Sequence, residues 1–262
     1  MIHRTRSSIR HTFLLAAVAL VAAASAPAAA QSVSLGADVV SRYVWRGLDF
    51  GESMALQPAL TISLGMLEFG AWGSYSISAS GAAANENDLW ASFTHEFEAG
   101  ASLSLGVTDY YFPGPGATDF RDGEAHTQEV WVSVSGPESA PLSVYAGLLL
   151  DDVDRDDCGE EEDCSVQTLY AEVGGPLMDA EGVELAWHLG YVNGKSVFYQ
   201  TTGDPDDEKS AGGAAVVNIG VTASTELGIT ESFAPPVSVS YVVNPARSVN
   251  RAYLVFLLSL SP

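Results

Sequence analysis

SRYVWRGLDFGES, residues 41–53, sets two arginines and two large aromatics in a segment of extended character. Successive side chains of a strand point to opposite faces, so Arg42, Val44 and Arg46 share one side while Tyr43 and Trp45 share the other. In a water-soluble domain the aromatics would turn to a core and the arginines to solvent. In a membrane barrel the aromatics would meet lipid head groups and the arginines would face the lumen. The rest of the chain must choose.

The first thirty residues read as a secretory signal peptide. Arg4, Arg6 and Arg10 form a basic start, FLLAAVALVAAA is a short apolar run, and Ala28 and Ala30 supply a small-x-small cleavage site before Gln31. The remaining stretch, 31–262, is long enough for one all-β domain. No later segment offers the roughly 18 uninterrupted apolar residues of a membrane helix. The best candidate, SAGGAAVVNIGVTAST, is broken by Asn218 and by glycines.

After cleavage eight basic residues face 33 acidic ones, a net charge near −25. That balance excludes nucleic acid as a partner and simple adhesion to anionic lipid heads. Adaptation to high salt would give the same composition. The only cysteines, Cys158 and Cys164, lie in the acidic run DDVDRDDCGEEEDC, and export permits a disulfide between them. No further Cys or nearby His completes a zinc set. Asp152, Asp154, Asp156 and Asp163 echo a calcium loop, but Asp157 stands where such a loop needs glycine. Neither a metal nor another cofactor is expected.

Period-two alternation recurs along the whole chain. LEFGAWGSYSIS gives Leu67, Phe69, Ala71, Tyr75 and Ile77 on one side, and RAYLVFLLSLS gives Ala252, Leu254, Phe256, Leu258 and Leu260. Twelve such runs are expected near 33–46, 55–64, 67–78, 88–97, 101–112, 127–135, 142–151, 166–174, 183–193, 214–224, 237–243 and 251–261. Most have about the ten residues of a tilted membrane strand. Their connections alternate between long loops and short turns, as in outer-membrane barrels with periplasmic termini. The expected fold is therefore an antiparallel up-and-down transmembrane β-barrel of twelve strands.

Aromatics give a second test. Tyr43, Trp45, Tyr75, Tyr111, Tyr191 and Tyr241 end five of six outward-running strands on the apolar face, where an outer interface would lie. Two features resist: Asp109 has lipid-face parity, and the chain ends on LSLSP with Phe256 as its last aromatic.

The run Tyr43-Val44-Trp45-Arg46-Gly47, followed by Gln57-Pro58-Ala59, resembles the start of the TorF family of porin-like exported proteins. Leu48 and Asp49 stand where members of that family usually carry a small hydroxyl and a polar residue. The resemblance covers about 25 residues and implies an outer-membrane channel without naming a solute.

The leading functional expectation is a channel for passive diffusion of small polar solutes or ions, surrounded by outer-membrane lipids. Inward positions such as Ser34, Gly36, Thr61, Ser74, Gly147, Asn218 and Gly220 are small and polar, which favours a watery lumen. Asp38, Glu68, Glu129, Glu172, Glu184 and His188 also face inward, and Arg42, Arg46 and Arg251 are expected to form a basic ladder at the seam where the last strand meets the first. An acidic wall opposite that ladder would create a transverse field. An alternative is a surface receptor or adhesin with acidic binding loops. A barrel hydrolase is a third, although His95, His126 and His188 do not assemble with a serine and an acid from sequence; no catalytic residue is assigned. Monomer and homo-oligomer both stay open.

Overall fold

The computed structural model describes residues 31–114, 125–150, 169–194, 199, 213–230, 232–249 and 251–260. The leader and the Cys158–Cys164 loop lie outside the described residues. Twelve strands make the barrel wall: β1 (Gln31–Val40), β4 (Ala55–Leu64), β5 (Leu67–Ser76), β6 (Glu86–Glu96), β7 (Ser102–Tyr111), β8 (His126–Ser135), β9 (Ser143–Leu149), β10 (Leu169–Ala180), β11 (Val183–Val192), β12 (Ala215–Glu226), β13 (Pro236–Val243) and β14 (Ala252–Leu260). Two short strands, β2 (Tyr43–Trp45) and β3 (Leu48–Phe50), pair only with each other.

Each wall strand pairs antiparallel with its neighbours, and β1 against β14 closes the ring. Val40 sits opposite Leu257 and Asp38 opposite Ser259 in that seam. Closure leaves no unpaired strand edge, which is what a sheet in hydrocarbon requires. Twelve strands about 4.8 Å apart and tilted about 40° give a backbone diameter of about 24 Å.

Alternation decides what faces out. Val33, Leu35, Leu60, Ile62, Leu105, Leu254 and Phe256 are exposed on the outer surface. Their neighbours Ser34, Gly36, Thr61 and Ser104 share the opposite face. So continuous an apolar belt is unsustainable in water and natural against lipid. Short connections occur where the backbone permits them. Glu181 (φ 54°) and Gly182 (φ 79°) form the two-residue link between β10 and β11, whose primed-turn geometry matches strand twist.

The outward face turns polar at the long-loop end. Asp109, expected to be awkward against lipid, accepts from Gln128 Nε2 at 2.9 Å and pairs with His126 Nδ1 at 2.8 Å. His126 is the first residue of β8. Tyr111 stacks on it at 4.6 Å and is buried. Tyr75 bonds Asn87 on the same face, and Tyr75, Tyr191 and Tyr241 are exposed near this rim.

One expectation fails at the opening stretch. The first wall strand ends at Val40, and 43–50 leave the wall. Ser41 makes the last seam contacts: its N–H donates to the Phe256 carbonyl at 2.8 Å, and its hydroxyl accepts from the Phe256 N–H at 2.9 Å. Then the chain turns into the barrel.

Candidate functional site: a hairpin across the lumen

Arg46 and Gly47 carry φ values of 48° and 78°, and Trp45 pairs with Leu48 across them. This is again a two-residue primed turn, so YVW and LDF form a hairpin with Arg46 at its tip. Gly47 is obligatory on two counts. Its φ is left-handed, and a Cβ there would stand 2.3 Å from the Val217 carbonyl oxygen.

The hairpin reaches the wall opposite its origin. Going round the ring from β1, strand β9 lies diametrically across. Arg46 touches β8, β9 and β10. Its Nη1 donates to Glu129 Oε1 at 2.8 Å and its Nη2 to Glu129 Oε2 at 2.9 Å, a two-pronged ion pair. Nη2 also donates to the Tyr145 hydroxyl at 2.9 Å, and Nη1 to the Tyr199 hydroxyl at 3.3 Å. The guanidinium carbon lies 4.3 Å from the ring centroids of both Trp45 and Tyr170. Glu129 is fully buried, and it takes two further bonds from Tyr145 (2.7 Å) and Tyr110 (2.8 Å). A charge pair buried this deeply persists only where its remaining lone pairs and protons are met, as they are here.

Packing fixes the rest of the hairpin. Leu48 lies in a cluster with Tyr170, Val192, Tyr199 and Val217, flanked by Trp45, Phe50 and Tyr145. Tyr43 donates to Glu86 Oε2 at 2.8 Å and its ring centroid sits 5.4 Å from that of Trp72. Arg42 pairs with Asp49 across the hairpin's base. Tyr43 and Trp45 therefore do not meet lipid head groups. The correction follows from the turn at Arg46-Gly47, which folds the segment back on itself and carries both aromatics into the lumen. Tyr111 is likewise covered, by its stacking on His126.

The basic ladder does not assemble as expected. Arg42 remains near the seam, 5.9 Å over the Tyr253 ring. Arg251 is exposed immediately before β14, its carbonyl accepting the Asn244 N–H at 2.7 Å. Arg46 leaves them and crosses to Glu129, because a guanidinium taken out of water needs a carboxylate. The transverse arrangement thus exists as a closed ion pair and not as two facing walls.

The remaining inward residues fall into place along the strands. Asp38 is opposite Gln57. Glu68 accepts from Trp90 Nε1 at 3.3 Å. Glu172 accepts from Tyr170 and, at 2.9 Å, from Asn218 Nδ2, while His188 Nε2 lies 3.2 Å from Asn218 Oδ1. An amide oxygen only accepts, so His188 donates through Nε2. Glu184 is opposite Ser224, close to the short-turn end, and exposed. Under the hairpin tip a pocket of about 320 Å³ opens between Trp45, Arg46, Tyr170, Glu172, His188 and Asn218. No cluster of His, Cys, Asp and Glu suited to a metal occurs among the described residues.

Sequence reasoning missed Tyr110, Tyr145, Tyr170 and Tyr199. Strand parity already placed the first three on Glu129's face, but tyrosine was weighed only as an interface residue. It also took inward glycines as free volume. Gly147 and Gly220 instead seat side chains, a Cβ on them meeting Glu129 Oε1 and the His188 ring at 2.1 Å, as Gly70 and Gly106 seat the Trp90 ring at 1.8 Å and the Trp131 ring at 2.2 Å. Aromatics lying over cross-strand glycines fill what sequence alone left empty.

Among solved structures, the KdgM porin in complex with disordered oligogalacturonate is similar at TM-score 0.44 and 9% identity, over 88% of this chain and 98% of that one. Salmonella typhi OmpF in complex with daunomycin is similar at TM-score 0.41 and 9% identity, over 88% and 97%. No curated protein matches the chain. The model of the family described as "Bacterial protein of unknown function (Gcw_chp)" matches residues 23–225, and the chain belongs to that family.

Proposed function

We propose that the protein is an outer-membrane channel for passive diffusion of small polar solutes or ions, with cations favoured and the β2–β3 hairpin as its constriction. One observation carries this: a closed barrel, apolar outside, whose inward face bears carboxylates and, among the described residues, is crossed by the β2–β3 hairpin. Among the described residues Glu68, Glu129 and Glu172 project from the wall, whereas only Arg46 reaches the far wall as a cation, where Glu129 consumes it. The surplus inside is negative, and a narrow passage between low-dielectric walls concentrates the opposite charge. The resemblance of 41–65 to the TorF family of porin-like proteins points the same way. The chain is read as a channel and not as an enzyme: Glu86 is engaged by Tyr43, Glu129 by Arg46, Tyr110 and Tyr145, and Glu172 by Tyr170 and Asn218. The receptor alternative rests on acidic loops that lie mainly outside the described residues.

Refolded protein in planar bilayers tests this. Discrete conductance steps with a reversal potential favouring cations at low salt are expected. Absence of conductance at every salt concentration, from protein shown to be folded by heat-modifiable mobility, would overturn it.

A further inference from the structure

We propose that Glu129, Tyr110, Tyr145 and Tyr170 form a guanidinium-binding site on the barrel wall, occupied in the resting protein by the chain's own Arg46, and that solutes bearing a free guanidinium group compete for it and unseat the hairpin. The second half rests on the channel reading above; the first does not.

The two halves of the contact have separate origins. Glu129, Tyr145 and Tyr170, which meet Arg46, and Tyr110, which holds Glu129, stand on β7–β10, while the guest arrives on a loop 83 positions away from Glu129 in sequence; Tyr199, outside the wall strands, adds an acceptor at 3.3 Å. The wall half is organised without its guest. Glu129 is held by the Tyr110 and Tyr145 hydroxyls and seated over Gly147. Tyr170 is fixed by Glu172 and by Asn218 Nδ2 at 3.1 Å, over Gly190, where a Cβ would stand 2.2 Å from its hydroxyl. A socket whose parts are positioned by one another retains its shape when the occupant leaves.

Its chemistry selects a planar fork. A carboxylate receives two parallel N–H bonds, the Tyr145 hydroxyl accepts at the fork's edge, and the Tyr170 ring covers a face. Ammonium offers neither the paired donors nor a flat face to stack. The pocket under the hairpin tip adjoins the same residues, and Glu172, His188 and Asn218 line it. It would take the remainder of a small guanidinium-bearing solute, including a second amino or hydroxyl group. The tether supplies Arg46 at an effective concentration in the millimolar range or above, so a free competitor is needed in comparable excess.

The test uses R46A, which empties the socket, with ethylguanidinium as probe and ethylammonium as the control of equal charge. Saturable binding of ethylguanidinium to folded R46A, about tenfold tighter than ethylammonium and lost in R46A/E129Q, is expected. Equal affinity for the two probes, or unchanged affinity in R46A/E129Q, would overturn the socket. If R46A does not refold alone, refolding with ethylguanidinium decides: recovery supports the socket, and failure with it as with ethylammonium rejects it. In wild-type bilayer recordings ethylguanidinium should raise the frequency of large-conductance events where ethylammonium does not. Binding to R46A without that effect would reject the gating half. A folded R46A that binds the probe but never conducts would remove the channel reading and leave the socket standing.

Discussion

Breaking the Arg46–Glu129 pair should release the hairpin without melting the wall. Arg46→Met removes the charge and keeps most of the stem. Losing one partner of a buried ion pair costs about 3–5 kcal/mol, mostly because the other charge stays behind. The Tyr110 and Tyr145 hydroxyls still donate to Glu129 at 2.8 and 2.7 Å. The lower end, about 3 kcal/mol, is therefore expected. At about 1.4 kcal/mol per factor of ten, the unseated hairpin becomes roughly a hundredfold more populated. Because the hairpin pairs with no wall strand, that loss is confined to its docking; global unfolding of the barrel shifts little. Single-channel recording is the suitable assay, reading the ratio of small to large conductance states. Adding Glu129→Gln to R46M should recover about 2 kcal/mol, since the amide oxygen still accepts from both tyrosines and no buried charge is stranded. The opposite pattern would refute the reasoning: R46M folded and indistinguishable in its conductance states, or R46M/E129Q more disrupted than R46M.

Gly147→Ala would force the Glu129 carboxylate to move, since the new Cβ stands 2.1 Å from Oε1; about 1–3 kcal/mol of hairpin seating should be lost, whereas Gly65→Ala, with nothing within 4 Å and only its φ of 66° to strain, should cost about 1 kcal/mol. The same conductance ratio separates the two. Cation preference should weaken as ionic strength rises past about 0.1 M, where the screening length falls to about 10 Å, and Glu68→Gln with Glu172→Gln should reduce it at low salt; a reversal potential indifferent to both changes would remove the carboxylates from the conduction path. Thiol labelling of non-reduced protein should find Cys158 and Cys164 blocked, with reduction costing at most about 2 kcal/mol because the closed loop is short.

Strand positions were legible in sequence because the barrel makes one demand of every stave. Lipid outside and side chains inside impose a period of two, and no competing period is tolerated over ten residues. Hence β5, β7, β9 and β14 fall within two residues or so of where alternation alone places them. The exceptions were β10, which runs on to Ala180 where alternation placed its end at 174, and the opening stretch. Alternation continues unbroken from Ser41 to Trp45 across the point where the chain leaves the wall, because a lumenal hairpin is itself a pair of strands. Only Arg46-Gly47, a dipeptide whose glycine readily takes positive φ, marked the reversal. Arginine is an uncommon residue for the other turn position, and it is there because of Glu129, 83 residues on.

That dependence explains why the site was less legible than the fold. Period two states which face a residue occupies, not how far its neighbours reach across the lumen. Glu129 was assigned the correct face, but whether a face is wet or packed depends on pairing register, which places Trp131 opposite Gly106 and Trp90 opposite Gly70. With that register known, composition acquires a different meaning. Glycine in these strands is the partner of a ring, and inward tyrosine is the holder of a carboxylate. A lumen that looks hollow by residue size is filled at one level, and that level is where a loop arginine finds its counter-ion. That filled level is consequently held by an ion pair whose two halves come from separate parts of the chain, so in the channel we propose it would open at either half while the wall that carries it stays closed.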